Sequence, residues 1–437
     1  MYYFIGIIQL IVLTILLFKW YQKSGLSIFV DAIKLMIILW LVNIALYNLK
    51  LSSHYNPNLI MNIIVVLVCI VFFIGSRKAF LVEDDILLSV ESLKNDKDNY
   101  LIYSVIINLV FIIAFITFWI NAKKYGLAIL SQNKINKQQM DHYSAYIVYM
   151  LVLCAQAKYI LFRINKRIVD LTVFLLSVGT LILTLNRGPI AFILAAMYIY
   201  EIFSLIKVKN SISRKRLYMI YFALILSFIG FLQFFGYIGD MRMEYVLEHV
   251  YHRTMNEHYG MSEAIPTGLL WGYIYLTSPL ENAAFSLMNQ SVNLTYFNNL
   301  FYPFIKFFAN IFGVGEEYKI WLTEKASYIP YLDDKIGLNV SSFIPEAMQD
   351  FGYIGVIVYV LIFLILAYLS IKMIKNRKLT SIGATIIYAN ILNMLLWSVF
   401  GNSLKIPVLI LNIFFILFIE MLINKGVFKW ILKRVRG

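Results

Sequence analysis

The chain has 437 residues, 61% hydrophobic and 14% charged, with a mean hydropathy of +0.76 and a formal net charge of +14. Soluble domains carry about 25% charged residues, so this composition excludes an ordinary soluble protein. The basic residues sit in short clusters between apolar runs. That pattern excludes a stripe for tracking nucleic acid and reads as a device for fixing orientation in a bilayer.

Taken in chain order, runs near the roughly 20 residues that a helix needs to cross a bilayer fall at 2–18, 28–47, 59–75, 100–120, 142–161, 168–185, 189–206, 217–236, 352–371, 379–400 and 406–423. They predict an all-α, polytopic membrane protein with eleven spans, or twelve if the weak segment Leu269–Thr277 re-enters the membrane. The first run has no basic n-region and no small-residue cleavage site, so it reads as a retained span. Cys69 and Cys154 both lie inside apolar runs, which argues against a structural disulfide or a thiolate metal site. Three parts follow: 1–236 with spans 1–8, a large loop at 237–351 with short amphipathic helices, and 352–437 with spans 9–11 and a basic tail.

The Lys and Arg count sets the orientation. One set of faces carries 24 of them and the opposite set 13, six of these in the large loop. The richer side is cytoplasmic by the positive-inside rule, so the loop faces outward and the C-terminus inward. Within the spans charge is sparse. Asp31 and Lys34 are three apart and can pair, while Asp170, Glu201 and Glu420 lie near span ends, where a carboxylate can reach the interface. A coupled transporter keeps ionisable groups at mid-membrane depth and breaks its helices in matched halves. Neither feature stands out.

Four stretches can carry chemistry. Thr184–Pro189 is the tip of a hairpin, with Pro189 suited to a first helical position. Arg187 beside such a helix N-terminus makes a receptor for a phosphate or diphosphate; the alternative is an arginine snorkelling to lipid headgroups. In Asp240–Arg253, read as one helix, Arg242, His249 and Arg253 fall on one line, and Glu248 and His252 form an i,i+4 pair. Two arginines around a histidine suit an anionic leaving group and a proton transfer; the alternative is an amphipathic helix on the headgroups. The spacing of His249, His252 and His258 matches no familiar zinc signature, so no metal is expected.

Trp271–Tyr275 and Ser278–Asn282 read as an aromatic belt or loop packing, with sugar stacking as the other use. In Ser341–Gly355, Pro345 can start a short helix that sets Glu346 and Asp350 one turn apart on one face. Either can serve as the general base for a sugar hydroxyl; the alternative is a carboxylate favoured by the helix N-terminus.

With Asn186-Arg187-Gly188 and Asp350-Phe351-Gly352-Tyr353-Ile354-Gly355, the chain resembles bacterial oligosaccharide repeat unit polymerases, the Wzy-type O-antigen or capsular polysaccharide polymerases. The related O-antigen ligases carry a histidine shortly before the corresponding Gly-x-x-Gly, where this chain has Asn339-Val340-Ser341-Ser342. The resemblance implies a GT-C-like membrane glycosyltransferase of the bacterial inner membrane that needs no cofactor. It further implies that the growing chain on undecaprenyl diphosphate is donor and a new repeat unit is acceptor, at the periplasmic face. Undecaprenyl-diphosphate-linked glycans, membrane lipids and a chain-length-regulating membrane protein are the implied partners, and no nucleic acid. On that expectation Arg187, Arg242 and Arg253 hold diphosphate, and Glu346, Asp350, His249 or His252 supplies the base. The other readings are an O-antigen ligase and a lipid-linked oligosaccharide flippase.

Overall fold

The computed structural model describes residues 1–75, 97–130, 138–208, single positions between 219 and 243, and then 247–289, 293–325, 331–376 and 379–424. The described residues are 82% helix, without strands. The helices are α1 (Tyr2–Ser24), α2 (Ala32–Asn48), α3 (Leu59–Gly75), α4 (Lys97–Tyr125) and α5 (His142–Tyr149). They continue with α6 (Leu151–Asn165), α7 (Ile168–Leu183), α8 (Arg187–Val208), α9 (Thr267–Asn289) and α10 (Tyr302–Ile311). The last are α11 (Gly315–Lys325), α12 (Phe343–Phe351), α13 (Ile354–Asn376), α14 (Ser381–Trp397) and α15 (Pro407–Asn424).

Among the described residues, seven helices are long and apolar enough to cross a membrane: Tyr2–Phe29, Asn99–Leu130, Tyr143–Asn165, Gly188–Val208, Ile354–Lys375, Ile382–Phe400 and Pro407–Asn424. Three shorter apolar helices, Ala32–Asn48, Leu59–Gly75 and Ile168–Leu183, fall on three further runs read from the sequence. The run at 217–236 lies outside the described residues, single positions apart. This architecture is that of a membrane-embedded, all-helical protein. Apolar surface on so many helices has no other solvent, and a helix satisfies every backbone polar group within itself.

The chain divides into two compact units. The first is Met1–Phe80, Tyr218–Tyr368 and Met394–Ile406. Asp31 caps α2, accepting from the Ile33 and Lys34 backbone N–H groups at 3.1 and 3.0 Å, and Lys34 Nζ lies 3.7 Å from its carboxylate, as the i,i+3 spacing anticipated. Helices α1, α2 and α3 are tied by amides: Asn48 Nδ2 donates to Asn62 Oδ1 at 2.6 Å, and Gln9 Nε2 donates to the same oxygen at 3.1 Å. Interhelical side-chain bonds of this kind hold apolar helices together where the surroundings offer no competing water. The core is aromatic where α12 enters: Phe343 meets Trp40 and Phe363 edge-on and stacks on Tyr359. Helix α9 packs on α2 and α12.

The second unit is Leu81–Leu217, Leu369–Asn393 and Pro407–Gly437. Its helices α4, α6, α7 and α8 pack on one another, with α15 against α4. Asp170 and Glu420 do not reach an interface, as their positions near span ends suggested; both are buried with partners. Lys158 Nζ lies 2.6 Å from Asp170 Oδ1, and Glu420 accepts from the Thr380 backbone N–H at 2.9 Å and from the Tyr103 hydroxyl. The reason is desolvation: a buried charge is tolerable when another charge or several donors face it. Glu201 is partly exposed and pairs with Arg163 at 2.9 Å and with the Tyr159 hydroxyl at 2.6 Å.

Candidate functional site

The site grows from the Ser342–Gly355 stretch. Ser342 has an extended backbone and caps α12, its hydroxyl accepting from the Ile344 N–H at 3.4 Å. The helix therefore starts at Phe343, two residues before Pro345, which still sits in the first turn, where no N–H partner is needed. Gly352 ends it with a φ of +64°, a conformation most residues adopt only at a cost. At Gly355 a Cβ would stand 1.7 Å from the Ala347 carbonyl oxygen, so α13 can begin this close to α12 only on a glycine.

Within that turn the two acidic residues have different surroundings. Asp350 is fully buried and its carboxylate accepts four hydrogen bonds. Oδ1 takes the Thr295 hydroxyl at 2.5 Å and the Asn299 N–H at 3.0 Å; Oδ2 takes the Leu300 N–H at 2.9 Å and the Tyr359 hydroxyl at 2.7 Å. Its geometry is that of a clasp on the 295–300 turn. Glu346 instead reaches the wall of an open cleft of about 410 Å³ lined also by Asp333, Asn339, Ser341 and Gly401.

Lys405 faces Glu346. Its Nζ lies 3.0 Å from Glu346 Oε2, an ion pair at contact distance though not aligned as a hydrogen bond. The same ammonium donates to Asn299 Oδ1 at 2.6 Å and stands 5.3 Å from the centre of the Tyr302 ring. Asn299 thus links the two carboxylates: its N–H is held by Asp350 while its side chain orients the lysine that faces Glu346. Asn402 Nδ2 adds a bond to the Asn299 carbonyl at 3.1 Å. Asn282 of α9 secures the opposite wall, donating to the Leu338 and Val340 carbonyls at 2.8 Å each and accepting from the Leu332 N–H at 2.9 Å. Ser341 Oγ is buried in this wall without a partner among the described residues. The cleft wall thus carries two acidic residues, Glu346 and Asp333, with the Lys405 ammonium against Glu346. Behind it, Tyr318 stacks on Tyr302 and Trp321, and burial pushes its hydroxyl up to about 12.

The 240–253 stretch departs from the single helix expected. A π turn at Leu247–Tyr251 is closed by His252 with a φ of +47°, and a new helix starts at Met255 behind a capping box of Thr254 and Glu257. Arg253 thus lies between helices and cannot share a line with His249; the local caps win over the 100° periodicity. His249, His252 and Arg253 are exposed, and Arg242 lies outside the described residues. His258 is buried between the rings of Tyr251 and Tyr259. Burial, with His54 and Arg253 nearby, holds its pKa below the ordinary 6.5. Among the described residues no three His, Cys, Asp or Glu side chains gather as metal ligands.

Arg187 opens α8 in the second unit, and its side chain is outside what the structure describes. Beside it Asn186 Nδ2 donates to the Tyr149 hydroxyl at 2.9 Å. Trp271 packs inward, its Nε1 donating to Asp240 Oδ1 at 2.6 Å and its ring meeting Tyr259, while Tyr275 lies half-buried against it. Glu281 is buried in α9, accepts from the Tyr47 hydroxyl at 2.7 Å and the Asn56 N–H at 2.9 Å, and has its pKa raised by burial. Asn282 closes the Ser278–Asn282 stretch, read from sequence as belt or loop packing, and packing is its role here. Lys405, Asn299 and Tyr302 were not singled out from sequence. A lone Lys in an outward interval was the available signal for Lys405; the others carried none.

Fold and site together define a polytopic, all-helical protein with a polar cleft beside the start of a membrane-length helix. Compared with described protein families, curated proteins and solved structures, the chain matches none.

Proposed function

We propose that the protein is a membrane glycosyltransferase that polymerises undecaprenyl-diphosphate-linked repeat units into O-antigen or capsular polysaccharide. The observation that carries this reading is Glu346 on the wall of the open cleft, held opposite Lys405 and immediately before α13. In this reading eleven spans surround a periplasmic loop at 237–351, in a GT-C-like arrangement within the bacterial inner membrane, with a cytoplasmic C-terminus. Glu346 takes the proton from an acceptor sugar hydroxyl. The oxygen forms a bond to the anomeric carbon of the growing chain as that carbon's bond to undecaprenyl diphosphate breaks, and the electron pair leaves with the diphosphate. Guanidinium groups suit that developing charge, a role for Arg253 and Arg242. Asp350 supports the carboxylate through Asn299 and Lys405. Because the donor is already activated, the chemistry asks for no nucleotide, and holding two membrane-anchored substrates in register supplies much of the acceleration.

The test is disruption of the gene in its bacterial host, followed by gel analysis of the surface polysaccharide. Loss of the ladder with a single repeat unit on the lipid core is expected, with rescue by the native gene and not by Glu346→Gln. Polymer stranded on undecaprenyl diphosphate would mean an O-antigen ligase, and repeat units held in the cytoplasmic leaflet a flippase. An unchanged ladder in a host with no second copy overturns all three.

A further inference from the structure

Helix α10 is amphipathic in the reverse sense to a helix on a soluble core. Its apolar residues Phe304, Phe307, Phe308 and Ile311, at the i, i+3, i+4, i+7 spacing of one face, point outward, while Lys306 on the other face is 8% exposed. Phe307 and Phe308 are each 56% exposed, Ile311 59%, and Phe312 just beyond the helix 78%. The inward face carries the helix's charge, Lys306, beside Ala309. Lys306 stands 5.6 Å from the Tyr302 ring centre and 4.0 Å from Glu316, and Tyr302 stands over Lys405 at the cleft. In water such a helix would turn over.

The apolar face is also continuous with a membrane-length helix. Phe351, just before α13, meets Phe297 edge-on at 4.4 Å, and Phe297 meets Phe301 at the start of α10 at 5.9 Å. The α13 residues that follow, Ile354, Ile357, Leu361 and Ile365, form an exposed apolar stripe. With 10 residues α10 is about 15 Å long, half the hydrocarbon thickness, so it is too short to cross.

We infer that α10 lies in the plane of the membrane interface, its phenylalanine face in the acyl boundary and its lysine face turned to the cleft. An interfacial helix sinks its apolar face about 5–10 Å below the headgroups. That sets the Glu346–Lys405 cleft at headgroup depth, where the polar end of a lipid-linked molecule sits. The inference needs only that α13 is a span, and stands whether or not the polymerase reading does.

The test uses the full chain with a nitroxide at Phe308→Cys and, separately, at Phe312→Cys, in phosphatidylethanolamine–phosphatidylglycerol vesicles. Cys69 and Cys154 are both buried, so the added thiol is the reactive one. Glu317→Cys on the exposed side of α11 is the aqueous reference. At 308 and 312 collisions with oxygen should exceed those with a water-soluble nickel chelate, the reverse of the order at 317. Nickel collisions dominating at both positions would overturn the inference. So would dipolar broadening between labels on two molecules with neither reagent reaching them, which would assign the face to a second copy of the chain. Both positions are exposed, so the variants leave the packed core untouched.

Discussion

Asp350→Asn separates a clasp from a catalytic base. The native carboxylate accepts one backbone N–H and one hydroxyl on each oxygen. An asparagine can satisfy one oxygen's pair. On the other side its NH₂ faces a hydroxyl that can rotate and accept, from Thr295 or Tyr359, and a backbone N–H that cannot, from Asn299 or Leu300. Either orientation leaves one buried donor unpaired, at a cost of about 1–3 kcal/mol. Expressed as local opening, with 1.36 kcal/mol per factor of ten, the Asn299 and Leu300 amides should exchange about 5- to 150-fold faster. Asp350→Ala strands both N–H groups and should cost about twice as much. The assay is hydrogen exchange on peptides covering 295–302, with a peptide from α4 as reference. Unchanged protection in Asp350→Asn together with lost activity would refute the clasp and make Asp350 the base.

Three further expectations follow from the same geometry. Glu346→Gln should lower polymer synthesis by about 10²- to 10⁴-fold, the range for removing a general base, with no change in the exchange of residues 295–302; a variant of full activity would remove Glu346 from the chemistry. Lys158→Met leaves the Asp170 carboxylate buried without its counter-charge and should destabilise by about 3–5 kcal/mol, while Lys158→Met with Asp170→Leu should recover most of the lost thermal midpoint; equal loss in both would mean the pair is not the cause. Because His258 has its pKa depressed by burial, the unfolded chain binds its proton first. Stability is then full above about pH 6.5 and falls as pH drops through the folded value. Thermal scans between about pH 8 and pH 5 should show that slope flattened in His258→Gln.

The helices were legible because apolar runs of membrane length leave a chain few options: ten of the eleven runs coincide with helices, and the eleventh lies mostly outside the described residues. The short helix at Pro345 was legible, although the Ser342 cap starts it two residues earlier. Which acidic residue faces the cleft was not. Glu346 and Asp350 are one turn apart, and what separates them is the arrival of residues 295–300 on one and Lys405 on the other. Neither partner leaves a trace in the local pattern. The Arg242–His249–Arg253 line failed for an opposite reason, a local one: the left-handed His252 and the Thr254 cap interrupt a helix whose hydrophobic spacing runs on. Asp170 and Glu420 were misplaced because proximity to a span end fixes depth along the helix, and only packing fixes whether a side chain points outward.

The Glu346–Lys405 pair joins residues 405 − 346 = 59 positions apart, with α13 and α14 between them. At about 5–20 residues per second, a ribosome reaches Lys405 roughly 3–12 s after Glu346. Throughout that interval the carboxylate has been made and its cation has not. The cleft therefore closes as one of the last events of biosynthesis, after α13 and α14 have been made, and a chain released early carries the acid without its counter-charge. Truncations that end before Lys405 should then be inert even when every earlier helix has inserted.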